Sequence, residues 1–177
     1  FGNFGMHQSS LATAAVVLDS DTETPEIINF LFRSGTGTWG SDAVTGCNIL
    51  ETIANQIDRD GGTHEVSPGY ATLWTNSITG VVDSLLNYDG PSVGDVYQNP
   101  KFIQAFKANF AMTLLRLCTA QIGDTSYMGL REFSIPLDAL VKAYRKTGDI
   151  EMGQMAWFIS KGNGDFLRKS VFDKNPE

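Results

Sequence analysis

Asp60-Gly61-Gly62-Thr63-His64-Glu65-Val66-Ser67-Pro68-Gly69-Tyr70 runs directly into Ala71-Thr72-Leu73-Trp74-Thr75-Asn76-Ser77-Ile78-Thr79-Gly80-Val81-Val82-Asp83-Ser84-Leu85-Leu86, and the change of character between the two halves organises the chain. The first half is turn-forming and carries an acid, an imidazole, a second carboxylate and a phenol. The second half places Leu73, Ile78, Val81, Val82, Leu85 and Leu86 at helical spacing, with Trp74 one turn beyond Tyr70 on the same side. Asp60, Gly61 and Gly62 break a preceding helix, and Pro68, whose fixed φ suits a first helical turn, opens the next. The pattern predicts a helix over Tyr70 to Leu86, with the Tyr70 phenol on its first turn beside a loop suited to chemistry.

Outward from this stretch the chain reads as further helices. Val44 to Ile57 is expected to be one, with Ile49, Ile53 and Ile57 along a stripe. Asn3 to Leu18 is another: Leu11, Ala14, Ala15 and Leu18 fall at helical spacing, and the alanines allow a neighbour to approach closely. Asn3 and His7, four apart, share a face if that helix reaches back so far. Pro25 is expected to begin a short helix stopped near Gly35, and Gly35 to Gly40, carrying Trp39, reads as a loop. Pro100 starts a helix expected over Phe102 to Cys118, and Pro136 to Arg145 and Ile150 to Ser160 close the series. Without any strong period-two pattern the fold class is all-α. Antiparallel helix pairs without a regular tetratricopeptide or HEAT repeat favour part of an incomplete α/α toroid over a superhelix.

The 177 residues carry 13 Lys plus Arg against 20 Asp plus Glu, a formal charge of −7. That balance disfavours non-specific binding to nucleic acid or to an anionic membrane. Apolar runs such as Ala12 to Leu18 are too short to span a bilayer. Cys47 and Cys118 have no CxxC or Cys/His neighbour and are expected as buried thiols, with a disulfide left open. P-loop, dinucleotide, zincin and serine-hydrolase motifs are absent, and two histidines are too few for most imidazole-rich metal sites. Neither cofactor nor metal is expected.

The remaining polar groups near helix starts are Asn3, His7, His64, Glu65, Tyr70 and Asp124. A tyrosine acts as acid or base near neutrality only when positive charge or hydrogen bonds favour its ionised form, which His7 or His64 could supply. Asp60 to Tyr70 resembles the DG-x-x-x-E-x-SP-x-Y signature of the heparinase II/III-like polysaccharide lyases. Asn3-Phe4-Gly5-Met6-His7-Gln8 is similar to that family's Asn-led helix start, and Ile122-Gly123-Asp124-Thr125 to its Ile-Gly-Asp-Ser loop. The three occur in the family's order and span Asn3 to Thr125.

The resemblance implies an α/α toroid followed by a β-sandwich. This chain is expected to be a single all-α domain over 1–177, the later part of a larger toroid, whose partners would be the remaining helices and the sandwich of a parent chain. It also implies a secreted or periplasmic bacterial enzyme that cleaves a uronic-acid polysaccharide by β-elimination. Asn3 would neutralise the uronate carboxylate with His7 or Gln8 beside it. Tyr70 would protonate the leaving oxygen and could also take the C5 proton. Glu65 would bind substrate or orient a partner, His64 would bind substrate, either His7 or His64 could serve as a second base, and Asp124 would fix its loop. Arg33, Lys101, Lys107, Arg116 and Arg131 are the basic residues that could gather on the cleft side.

Two other readings stand beside this one. An inverting hydrolase would pair Glu65 with Asp124 across a water. A non-catalytic carbohydrate-binding domain would use Trp39 and Trp74 as stacking platforms.

Overall fold

The computed structural model describes residues 5–32, 36–39, 42–45, 49–64, 67–86, 88, 96–115, 118–123 and 136–168. Seven α-helices dominate them: α1 (Met6–Leu18), α2 (Glu23–Phe32), α3 (Ile49–Gln56), α4 (Pro68–Leu85), α5 (Pro100–Ala111), α6 (Leu137–Thr147) and α7 (Ile150–Ile159). The protein is mostly helical, as its periodicity requires.

The longest helix, α4, begins where its sequence says it should. Pro68 occupies the first turn, and Ser67 before it is extended. Trp74, Ile78, Val81 and Leu85 turn inward, each 3% exposed or less. Against another side of α4 lies α1, and small side chains set the contact. A Cβ on Gly5 would stand 2.5 Å from Ser77 Cβ, and one on Gly80 would stand 2.6 Å from Ser9 Oγ. Thr13 Oγ1 lies 3.1 Å from Ser84 Oγ. Positions 5, 9 and 13 therefore advance beside 77, 80 and 84, so the two helices run parallel. No side chain larger than threonine lies at these points, and the backbones approach closely.

The remaining core is built in the same way, from one apolar face per helix. Ile28 and Leu31 of α2, Ile49 and Ile53 of α3, Phe102 and Phe106 of α5, Leu140 of α6 and Met152 of α7 are each 1% exposed or less. Phe102 bridges Tyr97 and Phe106 edge to face, with ring centroids 5.7 and 5.2 Å apart. Gly148, at φ +68, ends α6, and the Asp149 side chain caps α7 through the Glu151 N–H at 3.0 Å.

Three sequence expectations are corrected. The buried face of α1 is Gln8, Ala12 and Ala15; Ala14 and Leu18 are exposed, because the seam with α4 is set by Gly5, Ser9 and Thr13. The supposed loop after Gly35 and the start of the supposed helix at Val44 form an antiparallel hairpin, β1 (Thr36–Trp39) with β2 (Asp42–Thr45), in register from Thr36 opposite Thr45 to Trp39 opposite Asp42. Its strands hold β-branched and aromatic residues around a two-residue Gly40-Ser41 connection, a hairpin signal that the helical reading passed over. Helix α5 ends at Ala111, seven residues early, and Thr113–Leu114 (β3) pairs with Cys118–Thr119 (β4). Leu114 and Leu115, 46% and 86% exposed, keep the helical spacing but have no core to meet.

Candidate functional site

The Asp60-Gly61-Gly62 turn closes on itself and then docks. The Asp58 N–H donates to the Gly62 carbonyl at 2.8 Å, and the Gly61 N–H to the Asp58 carbonyl at 3.1 Å. Asp60 Oδ1 accepts from the Gly62 N–H at 3.0 Å, the aspartate-turn hydrogen bond. Ile57 then bridges Thr63, and the His64 N–H reaches the Gln56 carbonyl at 3.0 Å. Gly61, at φ +87, lies directly on α5: a Cβ there would collide with the Gln104 carbonyl and stand 2.8 Å from the Ala105 nitrogen. Only glycine satisfies both the left-handed backbone and this approach. Gln104 Nε2 donates to the Asp60 carbonyl at 3.5 Å, and Lys101 Nζ donates to the Ala54 carbonyl.

Helix α5 also holds the far side of the loop. Asn109, 2% exposed, donates through Nδ2 to the Pro68 carbonyl at 3.3 Å and to Thr72 Oγ1 at 3.1 Å. Thr72 Oγ1 in turn donates to the Pro68 carbonyl at 2.9 Å. The last turn of α5 is thereby pinned to the first turn of α4, and the chain after α5, through Ile122 and Gly123, leaves from that end of the bundle.

Tyr70 sits in the first turn of α4 and is half-buried. Seven residues separate it from Ser77, nearly two full turns, so Tyr70, Ser77, Gly80 and Ser84 share one stripe. Ser77, Gly80 and Ser84 are covered by α1. Because α1 begins beside Ser77, α4 overhangs its start by about 10 Å at 1.5 Å per residue, and Tyr70 lies on that overhang. Among the described residues no hydrogen bond holds the phenol hydroxyl.

The other candidates divide. Gln8 is buried, and its Oε1 accepts from the Gly5 N–H at 2.7 Å, so its carbonyl end closes the start of α1. His7 is exposed and lies about 200° around α1 from Gly5, on the side away from α4; the structure does not bring it to Tyr70. His64 is exposed and held through its backbone. Trp74 is 1% exposed and belongs to the core, which removes it as a stacking platform, since a wide inner face of α4 swallows the ring one turn from Tyr70. Asn3, Glu65, Asp124, Arg33, Arg116, Arg131, Cys47 and the side chain of Trp39 lie outside the described residues.

Two of the basic residues are engaged elsewhere. Lys101 is on Ala54, and Lys107 forms ion pairs with Asp149 at 2.7 Å and Glu151 at 2.5 Å. Asn109 and the Gly5-Ser9-Thr13 seam position the site without having stood out in the sequence. The Gly and Ser residues of α4 at three- and four-residue spacing were the available signal.

Together these features define the class: a helical protein whose longest helix among the described residues carries a partly buried tyrosine beyond the start of a parallel, uncharged helix. Set against family models, curated proteins and solved structures, the chain finds no match in any of the three.

Proposed function

We propose that the chain is the later part of an α/α toroid of a polysaccharide lyase that cleaves a uronic-acid polymer by β-elimination, in a secreted or periplasmic setting. The observation that carries this reading is the partly buried Tyr70 on the α1-facing stripe of α4, overhanging the start of α1. Tyr70 and Gly5, which belong to two of the three stretches that resemble the lyase family, thus lie toward one end of the bundle. The third, Ile122-Gly123, follows the end of α5 that Asn109 pins to the same turn of α4.

The chemistry follows from what elimination demands. The C5 proton of a uronate is weakly acidic while the adjacent carboxylate keeps its charge, so donors must offset that charge and stabilise the enolate-like intermediate. Parallel α1 and α4 direct their positive ends the same way, and the first-turn N–H groups of α1 have no partner within that helix. Asn3 would add a neutral donor in front of them. Tyr70 would deliver its proton to the leaving glycosidic oxygen, and where the C5 proton and that oxygen share a face its phenolate would take the first proton. His64 and Glu65 would line the approach to Tyr70.

The test is absorbance from the conjugated double bond of an unsaturated uronate, measured on the full-length parent protein with heparan sulfate, hyaluronan, chondroitin sulfate and alginate separately. One of these should give a growing band, and Tyr70→Phe should abolish it while the melting temperature stays close to wild type. New reducing ends without the band would replace this reading with hydrolysis, and a turning-over Tyr70→Phe protein would remove Tyr70 from the mechanism.

A further inference from the structure

Trp157 is 50% exposed at the end of α7, and the turn that follows it is built to carry its ring. A Cβ on Gly162 would touch indole atoms Cζ2, Cε2 and Nε1 at 3.4, 3.6 and 3.8 Å, and one on Gly164 would meet Cζ3 at 3.2 Å. The backbone therefore runs along the indole from its nitrogen side to the far corner of its six-membered ring, with no side chain between.

The turn is firmly tied. The Trp157 carbonyl accepts from the Gly162 N–H and from Ser160 Oγ, both at 2.9 Å, and the Lys161 N–H donates to the Phe158 carbonyl at 3.1 Å. Lys161 and Gly162 both adopt positive φ, +58 and +80. A lysine in the left-handed region costs energy that the surrounding hydrogen bonds must hold in place. The result is a rigid aromatic half-surface fixed before any ligand arrives, which lowers the cost of binding.

Its surroundings are polar in a particular way. Lys161 is exposed and forms no ion pair among the described residues. Asn163 spends its Oδ1 on the Asp165 N–H at 3.0 Å, which leaves its amide nitrogen as a donor. A flat apolar surface followed in the same turn by a cation without an ion pair among the described residues and by an amide donor suits one chemistry. A uronate-containing sugar ring offers an apolar C–H face, ring hydroxyls and a carboxylate.

We infer that Trp157 and the Lys161–Gly164 turn form an accessory carbohydrate site, in which the indole stacks on a pyranose ring of an acidic polysaccharide and Lys161 pairs with its carboxylate. This rests on the lyase reading for its choice of polymer. The site is joined to the framework of Tyr70: Phe158, next to Trp157, packs edge-on to Phe110 at 5.5 Å, and Phe110 follows Asn109. It would hold a long polymer without touching the reacting bond.

The test is affinity electrophoresis of the full-length parent protein through native gels containing each of the four polysaccharides, with elimination of short soluble oligosaccharides followed by absorbance on the same preparations. Trp157→Ala should weaken retardation roughly tenfold, as loss of an aromatic contact does, while Trp157→Phe keeps most of it. Lys161→Gln should weaken it chiefly at low salt, and turnover of the short substrates should stay at the wild-type level in all three variants. Retardation of Trp157→Ala equal to wild type overturns the site, even where elimination is confirmed. Should Trp157→Ala fail to fold, unchanged retardation of Lys161→Gln at low salt overturns it instead. Tryptophan-dependent retardation without any unsaturated product keeps the site and removes the lyase reading, and absence of retardation by every polymer overturns the site.

Discussion

Replacing Gly61 with alanine tests whether the Asp-Gly turn is a docking element or only a flexible loop. Two costs add. The backbone at φ +87 is left-handed, which costs a residue with a Cβ about 1–2 kcal/mol. The new methyl would also collide with the Gln104 carbonyl and the Ala105 nitrogen, both backbone atoms of α5 that cannot swing aside. Forcing such an overlap costs about 1–3 kcal/mol, and lifting the turn away also strains the Gln104 to Asp60 hydrogen bond. The total is about 2–5 kcal/mol, or roughly 5–15 °C in melting temperature for a chain of this size.

Gly148→Ala is the matched control. Gly148 has φ +68, yet a Cβ there meets nothing within 4 Å, so only the backbone cost of about 1–2 kcal/mol applies. Thermal unfolding of both variants by circular dichroism gives the difference directly. Equal shifts for the two would refute the docking of the turn on α5. A larger shift for Gly61→Ala, with a fall in turnover that Gly148→Ala does not share, would tie the docked turn to the position of Tyr70.

Other outcomes follow from the same geometry. Asn109→Ala deletes a buried donor to Pro68 and Thr72 and should cost about 2 kcal/mol in urea unfolding; a loss under about 0.5 kcal/mol, the range of ordinary surface substitutions, would mean that α5 does not pin the start of α4. At the α5–α7 contact, burial draws the Asp149 carboxyl upward, but the hydrogen bonds from Lys107 and the Glu151 N–H outweigh it and hold the group below its ordinary value. Its contribution is therefore present above about pH 4 and is lost as pH falls through the lower folded value. Lys107 is raised, first by its hydrogen bond to Asp149, so its share persists until pH climbs past about 10.5. Lys107→Met should lose about 1 kcal/mol at neutral pH, with the gap from wild type closing below about pH 3; a gap that does not change with pH would assign the loss to packing.

Much of the helical frame was legible in the residues. Pro68 and Pro100 mark helix starts by their own backbone restrictions, and the isoleucine, valine and phenylalanine spacings name the inward faces. Local pattern failed where it looked helical but long-range burial was missing, as at Leu114 and Leu115, or where two short segments paired as strands, as Thr36–Trp39 does with Asp42–Thr45. It also could not tell Trp74, drawn into the core, from Trp157, left at the surface, because both lie on helices with apolar neighbours.

The sequence by itself determined the helical class, the starts of α4 and α5 and the presence of a tyrosine on a first turn, since these follow from φ restrictions and short-range periodicity. Only the tertiary structure decided that α1 runs parallel to α4 and starts two turns below Tyr70, that His7 faces away, and that Gly61 and Asn109 anchor the loop to α5. Those facts depend on which small residues let two backbones meet, a property of pairs of distant segments that no single stretch contains.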